Sequence, residues 1–325
     1  MESPSAPPVA VAVVSWNTRE LLRRCLLSLE PEVDAGRAEV WVVDNGSTDG
    51  SVELVRDEFP RARLLVPGQN LGFGPAVNRV AERTASAWIA PANADIELTP
   101  GALDALLEAG EADPGAGAVA PKLLLPDGSV QPSIQPFPEL WSTLLKHLRL
   151  YHVSHRLGEH LCLKGYWKPD QAQRVAWATG AFLIVRREAY ERIGGFDDDQ
   201  WMYAEDLDLC WRLKREGWAT RFEPRAVVHH ALSVAAEQAF GDWEARAPRV
   251  SAATYSWLAR RRGVVVAWLM ACMNLSAAAF EVAVLHRLRP SRASPRARSG
   301  LRLHRLGLRS RRALLRMERP GGSGA

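Results

Sequence analysis

The sequence predicts an α/β fold, a Rossmann-like and mostly parallel sheet with helices on both faces, followed by a C-terminal helical extension. Three observations predict it. Short apolar, β-branched runs such as VAVAVVSW from Val9 have the composition of strands buried on both faces. Segments with apolar residues at helical spacing separate these runs, as in βαβ units. The polar residues Ser15, Asn17, Asp44, Asn45, Asn93 and Asp95 gather where the runs end, which is where open parallel sheets bind ligands.

After the first strand, Thr18 is a predicted N-cap, and Leu21, Leu22, Cys25, Leu26 and Leu29 recur at helical spacing. AEVWVVDNGS from Ala38 predicts a second buried strand ending in an acid and a turn. A helix near Val52–Phe59, a strand ARLLV, a helix near Pro75–Thr84 and a strand AWIAPANAD follow. Thr99–Pro100 predicts the next helix start, with a cap and a proline at its first position. Beyond Pro121 the alternation breaks down. Residues 132–172 are Pro-rich, with a helix expected near Leu140–Leu150. RVAWATGAFLIV then predicts a strand, Arg187–Ile193 a short helix, AEDLDLCWRLKREGW a helix, and AVVHH a last strand.

Composition bounds the function. The chain of 325 residues is 47% hydrophobic and 24% charged, enough for a large core. The four cysteines, Cys25, Cys162, Cys210 and Cys272, lack metal-finger or redox spacing, so reduced thiols and a cytoplasmic setting are expected. No signal peptide is visible at the N-terminus. The net charge of +4 conceals an asymmetry: Arg287–Arg319 holds 12 Arg against Glu318 alone, or +11, leaving −7 elsewhere. Such a tail suits an anionic membrane surface. Nucleic acid is not expected as a partner, because the tail lacks stacking aromatics and any reader fold. The absence of a glycine fingerprint after strand one disfavours a dinucleotide oxidoreductase.

Several residues are candidates for chemistry. Asp44, in VVDNGSTDGS, either closes an Asx-turn or accepts the N–H of a pyrimidine base. Asn93 and Asp95 stand two apart at a strand end, an amide suited to a ribose hydroxyl and a carboxylate suited to a divalent cation, Mg²⁺ or Mn²⁺. One of His229 and His230 can face inward as a further metal ligand, and His229 is the residue expected to do so. Glu205 and Asp206 begin a helix, where its dipole favours ionised carboxylates: they are caps or a general base. Asp208 and Arg212 are four apart and expected to pair.

These residues, with VVSWN (13–17), NLGFGPAVN (70–78), PKLLLPDGSVQPS (121–133) and the block from Thr179 to Trp218, resemble glycosyltransferase family two of the GT-A fold, in particular its bacterial rhamnosyltransferase-like members. The resemblance spans residues 9–235. It implies an inverting transfer of a sugar from a nucleotide-diphospho-sugar, most readily rhamnose from dTDP-rhamnose, to a hydroxyl of a glycan or polyprenyl-linked acceptor in cell-envelope polysaccharide synthesis. It implies that Asp206 is the catalytic base with Glu205 beside it. Ser15, Asn17, Asp44, Asn70, Asn93 and Gly180 would bind donor, and Asp95 with His229 would hold the cation. A UDP-hexose donor or a non-catalytic nucleotide-sugar binding subunit is the alternative; intact Asp44, Asp95 and Asp206 speak against the latter.

Four segments are therefore expected: a leader at 1–8, the GT-A domain at 9–235, a helical membrane-associating extension at 236–289, and a partly disordered basic tail at 290–325. GVVVAWLMACMNLSAAAFEVAVLH (263–286) is nearly long enough to span a bilayer, yet it contains Asn274 and Glu281. Attachment along the membrane surface, on the inner face of the cell membrane, is expected rather than a span, with residues 301–317 as a second interfacial helix.

Overall fold

The computed structural model describes residues 7–152, 154–160, 167–200, 202–231 and 243–288. Most of the leader, Cys162 and the basic tail, including residues 301–317, lie outside the described residues. The chain divides into two compact units, residues 1–135 with 168–235, and residues 136–167 with 236–325. Residues 136–167, placed by sequence within the first domain, thus cluster with the C-terminal helices.

The first unit is the expected α/β sheet. Its strands are β1 (Val9–Ser15), β2 (Ala38–Asp44), β3 (Arg63–Leu65), β4 (Trp88–Asn93), β5 (Ile96–Leu98), β6 (Ala116–Leu124), β7 (Ile134–Gln135), β8 (Gln173–Val175), β9 (Trp177–Ala178), β10 (Ile184–Arg186) and β11 (Ala219–His230). The main sheet runs β3-β2-β1-β4-β10-β6-β11-β5, with β8 also pairing β11; β7 and β9 form a separate ribbon. Pairs β1–β2, β1–β4, β2–β3 and β6–β11 are parallel, whereas β10, β5 and β8 run antiparallel to their neighbours. Helices α1 (Arg19–Asp34), α2 (Ser51–Glu58), α3 (Phe73–Ala81) and α4 (Ala102–Ala112) connect the first strands. After Pro121 come α5 (Leu140–His147), α6 (His155–His160), α7 (Arg187–Arg192), α8 (Glu205–Arg215), α9 (Trp243–Arg261) and α10 (Val264–Leu288).

Val9, Val11 and Val13 on β1 are fully buried against Leu22, Cys25, Leu26 and Leu29 of α1 and against Leu103 and Leu106 of α4. Each such side chain contributes about 1.5–3 kcal/mol on burial, so β1 is an unbroken apolar run because both its faces are covered. The register is parallel and places Ser15 beside Asp44 and Val14 beside Asn93. The three strands therefore deliver their polar ends to one edge.

Local expectations differ from the structure at three places. Thr18 precedes α1, but its hydroxyl pairs with Ser15 Oγ at 3.1 Å, and the first helical N–H, of Arg19, donates instead to Asp49 Oδ2 at 2.8 Å. Asp49 lies in the loop after β2 and so caps a neighbouring helix. The helix after Thr99–Pro100 starts two residues later, because Thr99 Oγ1 donates to the Val227 carbonyl and Gly101 takes the preceding left-handed position at φ 77°. RVAWATGAFLIV is not one strand but β8, β9 and β10, broken around Gly180.

Candidate functional site

Four structural devices meet at the strand ends. The first is the turn after β2. Asp44 is buried, and its Oδ1 accepts the N–H groups of Gly46 at 3.1 Å and Ser47 at 2.8 Å. Its Oδ2 is buried with no partner. An orphaned carboxylate oxygen costs about 1–3 kcal/mol unless a donor reaches it, and the N–H of a pyrimidine base is such a donor. One oxygen closes the turn, as the Asx-turn alternative expected, and the other stays open to a donor.

Neighbouring polar groups brace that turn. Asn17 sits at φ 52°, donates its backbone N–H to Ser47 Oγ at 2.9 Å and accepts from Thr48 N–H at 2.8 Å through Oδ1. The Ser15 hydroxyl is buried against Thr18. Asn70 Oδ1 accepts from Gly72 N–H at 2.9 Å, while Asn45 donates to the Gly72 carbonyl at 3.0 Å. Ser15, Asn17 and Asn70, expected to touch donor, brace the loops that present Asp44.

The second device lies at the end of β4. Asn93 ends the strand, Asp95 occupies the turn into β5, and β5 pairs antiparallel with β11 so that His230 lies opposite Ile96 and His229 opposite Glu97. Strand alternation then buries His230 and exposes His229. The expectation for His229 is corrected: His230 Nε2 stands 3.3 Å from Asp95 Oδ1. On its far side, His230 Nδ1 lies 2.8 Å from Gln131 Oε1. A carboxamide oxygen only accepts, so Nδ1 carries a proton and Nε2 faces the carboxylate. Asn93 Nδ2 lies 3.5 Å from the same Nε2.

Nε2 and a carboxylate oxygen this close need a proton or a cation between them, and Asp95 with His230 forms a donor set that fits a divalent ion. Among the described residues no group of three His, Cys, Asp or Glu is placed to hold a metal. Two protein ligands suffice where substrate phosphates and water complete the shell. Gln131 lies within PKLLLPDGSVQPS, where its spacing alone gives it no role. Only the tertiary pairing of residue 131 with residue 230 reveals one.

The third device is the start of α8. Tyr203 and Ala204 have φ values of 63° and 62°, an uncommon double left-handed step for non-glycine residues that brings the chain sharply into the helix. Asp206 Oδ2 accepts from Gly180 N–H at 3.0 Å, and Oδ1 from Leu207 N–H at 2.7 Å. Glu205 Oε2 is buried with no partner. The helix dipole was expected to keep both acids ionised, but desolvation outweighs it. Burial, then the adjacent Asp206 charge, pushes the Glu205 carboxyl up to about 8. Burial also raises Asp206, against the hydrogen bonds from Gly180 and Leu207 that lower it. Glu205 therefore holds its proton at neutral pH. Asp206, with two donors on its oxygens, is the better seat for the charge. Asp208 is different: it is fully buried and bonded at 2.6 Å to Arg212, whose Nη1 also donates to the Ile193 carbonyl. That ion pair is structural, as the spacing predicted.

These raised acids make stability fall with pH. Unfolded Glu titrates near 4.5 and folded Glu205 near 8, so between these values the unfolded chain holds fewer protons and gains on the native state as pH rises. Glu205→Gln removes that term. Its melting temperature should exceed that of the unaltered chain by more at about pH 9 than at about pH 5. Parallel melting curves across that range would show that Glu205 does not carry the proton.

The fourth device links the second and third. Gly180 donates to Asp206, and the carbonyl of the next residue, Ala181, accepts from Asn93 N–H at 2.9 Å. A Cβ on Gly180 would lie 3.1 Å from Asp206 Cβ, so glycine allows the close approach. A second brace uses Asn78, whose Oδ1 accepts from Phe196 N–H and Tyr190 O–H while Nδ2 donates to the Phe196 carbonyl and Asp198. Gly74 is bare for the same steric reason, since a Cβ there would sit 2.7 Å from Phe196 Cβ. The motif NLGFGPAVN thus anchors the loop before α8.

Comparison with known proteins agrees with this geometry. The family model described as Glycosyl transferase family 2 matches residues 10–160, and that described as Glycosyl transferase family group 2 matches residues 134–292. An N-acetylglucosaminyl-diphospho-decaprenol L-rhamnosyltransferase of Mycobacterium tuberculosis is 36% identical over 245 residues, 68% of this chain and 75% of the relative. Among solved structures, a mannosyltransferase from Pyrobaculum calidifontis in complex with GDP-Man and Mn²⁺ superposes with a TM-score of 0.60 at 19% identity, over 99% of this chain and 89% of the other. GalNAc-T7 with UDP, GalNAc and Mn²⁺ gives 0.52 at 15% identity, over 70% and 44%. At such identities the two structures speak for the fold alone.

Proposed function

Since the chain belongs to glycosyl transferase family 2, we propose that it transfers rhamnose from dTDP-rhamnose, with inversion, to a hydroxyl of a polyprenyl-diphosphate-linked or glycan acceptor during cell-envelope polysaccharide synthesis. The observation that carries this reading is the Gly180–Ala181 step, bonded on one side to Asp206 and on the other to Asn93. It fastens a candidate base to the strand end that offers Asp95 and His230. The rhamnosyl donor and lipid-linked acceptor draw support from the name of the mycobacterial relative.

In this reading Asp44 Oδ2 takes the base N–H, and Asn93 lies by the ribose. Asp95 and His230 would hold Mg²⁺ or Mn²⁺, which when bound supplies positive charge to offset the departing diphosphate. Gln131 keeps His230 Nε2 directed at Asp95. Asp206 removes the proton of the acceptor hydroxyl as that oxygen attacks the anomeric carbon. The new glycosidic bond forms on the face opposite the leaving diphosphate, so one displacement inverts the centre and no covalent enzyme intermediate is needed. Glu205, protonated beside Asp206, keeps the site at one negative charge. The free thiols Cys25, Cys210 and Cys272 suit a reducing, cytoplasmic setting at the inner face of the membrane.

Incubating the chain with dTDP-rhamnose, UDP-hexoses and a short-chain N-acetylglucosaminyl-diphospho-polyprenol, with Mg²⁺ or Mn²⁺, tests the reading. Transfer from dTDP-rhamnose is the expected outcome. Consumption of UDP-hexoses alone would move the donor assignment to the alternative, and binding without turnover would make the chain a nucleotide-sugar binding subunit.

A further inference from the structure

The second unit has its polarity reversed. Of the eleven strongly exposed large hydrophobic side chains among the described residues, nine belong to this unit. On α10 they include Val265 at 72%, Trp268, Leu269 and Phe280 at 70% exposure, while Ala267, Met270 and Ala271 on its other side are buried. On and after α5, Trp141, Leu144 and Leu148 are exposed at helical spacing while Ser142 is buried. Two polar side chains of α10 meet protein partners. Asn274 donates to Tyr255 Oη at 2.8 Å and meets His147 Nε2 at 2.8 Å, and Glu281 pairs with Arg149 at 3.5 Å. A helix in a water-soluble body shows the opposite arrangement, and an apolar surface of this extent marks an interaction site.

We propose that α5 and α10 form a docking face for the interfacial region of an anionic bilayer, with α10 lying in the membrane plane. Charge identifies the occupant. Arg260–Arg262 stand at the junction of α9 and α10, and the sequence from Arg287 to Arg319 carries +11. Each basic residue near an anionic surface contributes about 1 kcal/mol. At 25 residues, α10 is about 37 Å long and could reach across a hydrocarbon core. A span would strip Asn274 and Glu281 from their partners and bring both into lipid, whereas lying in the plane keeps those bonds and buries the apolar side. The inference rests on the lipid-linked acceptor proposed above for its purpose, and on this surface for its geometry.

The test uses the full chain and vesicles of phosphatidylcholine with about a third phosphatidylglycerol. Leu144→Asp with Leu148→Asp, and separately Leu269→Asp with Phe280→Asp, should each lower vesicle partition about tenfold or more. Donor hydrolysis in vesicle-free solution should stay unchanged. In a Cys162→Ser background, spin labels at Cys272, which is exposed, and at Ala283→Cys should report equal, shallow depths. Depths differing by about 16 Å, the rise between the two positions, would show a span and overturn the in-plane arrangement. Unchanged partition in both double variants would remove the lipid role. Conversion of a dimer to a monomer without loss of partition would assign the face to a second copy, and a Cys272 label shielded from water before lipid is added would assign it to residues 289–325. Loss of donor hydrolysis in the unaltered chain would instead sink the proposed function, with the partition result standing apart from it.

Discussion

Asp206→Asn is expected to lower the rate of sugar transfer about 10²–10⁴-fold, the usual worth of a positioned general base, with donor affinity retained. The carboxamide keeps the size of the side chain but cannot take the acceptor proton. It also carries one acceptor oxygen where Asp206 presents two, each with a backbone N–H on it. One of those N–H groups is then left without its acceptor, at a cost of about 1–3 kcal/mol in stability. The variant should therefore melt lower yet remain folded, so donor binding and melting must be measured beside turnover. Turnover within tenfold of the unaltered enzyme would remove Asp206 from the role of base.

The cation pair gives the second large effect. Asp95→Ala should abolish tight Mn²⁺ binding in the presence of nucleoside diphosphate, followed by electron paramagnetic resonance, and transfer should fail with it or in excess chelator. Gln131→Leu should weaken Mn²⁺ about 10–100-fold, the usual cost of losing the group that orients a histidine ligand. His229→Ala should change neither quantity, because His229 is exposed opposite Glu97. If His229→Ala weakens the ion and His230→Ala does not, the strand register has been misjudged. Persistent transfer after exhaustive chelation would make the enzyme metal-independent.

Much of this was legible in the sequence, for reasons that particular residues make plain. VAVAVVSW could only be a strand covered on both faces, and the acids and amides at the strand ends announced a site before any contact was known. Asp208 and Arg212 declared their pairing by spacing alone. What stayed hidden depended on long-range partners. His229 and His230 are equivalent in a linear reading; pairing of β11 with β5 decides between them. The dipole at the start of α8 suggested two ionised acids, but only the folded chain shows the burial that raises both. Asn17 and Asn70 looked like donor contacts because they lie near Asp44. Their side chains also bond to backbone N–H groups of loops that sequence could not place. The reversed faces of α10 were partly visible, since Ala267, Ala271 and Asn274 share a side, but His147 and Arg149 as their neighbours' partners were not.

The double bond-line through Gly180 and Ala181 bears on the order in which substrates bind. Asn93 and Asp206 are fastened to adjacent residues of one short link. On the proposed roles, a nucleotide sugar settling at the end of β4 would bear on the same link that holds Asp206. Donor occupancy would then be sensed at the carboxylate before the acceptor arrives. An ordered sequential scheme with donor leading is the expected kinetic behaviour if Asp206 is the base and the donor seats at the end of β4. In such a scheme a dead-end acceptor analogue inhibits uncompetitively against the donor, and the activated sugar waits for its acceptor before the base is asked to act.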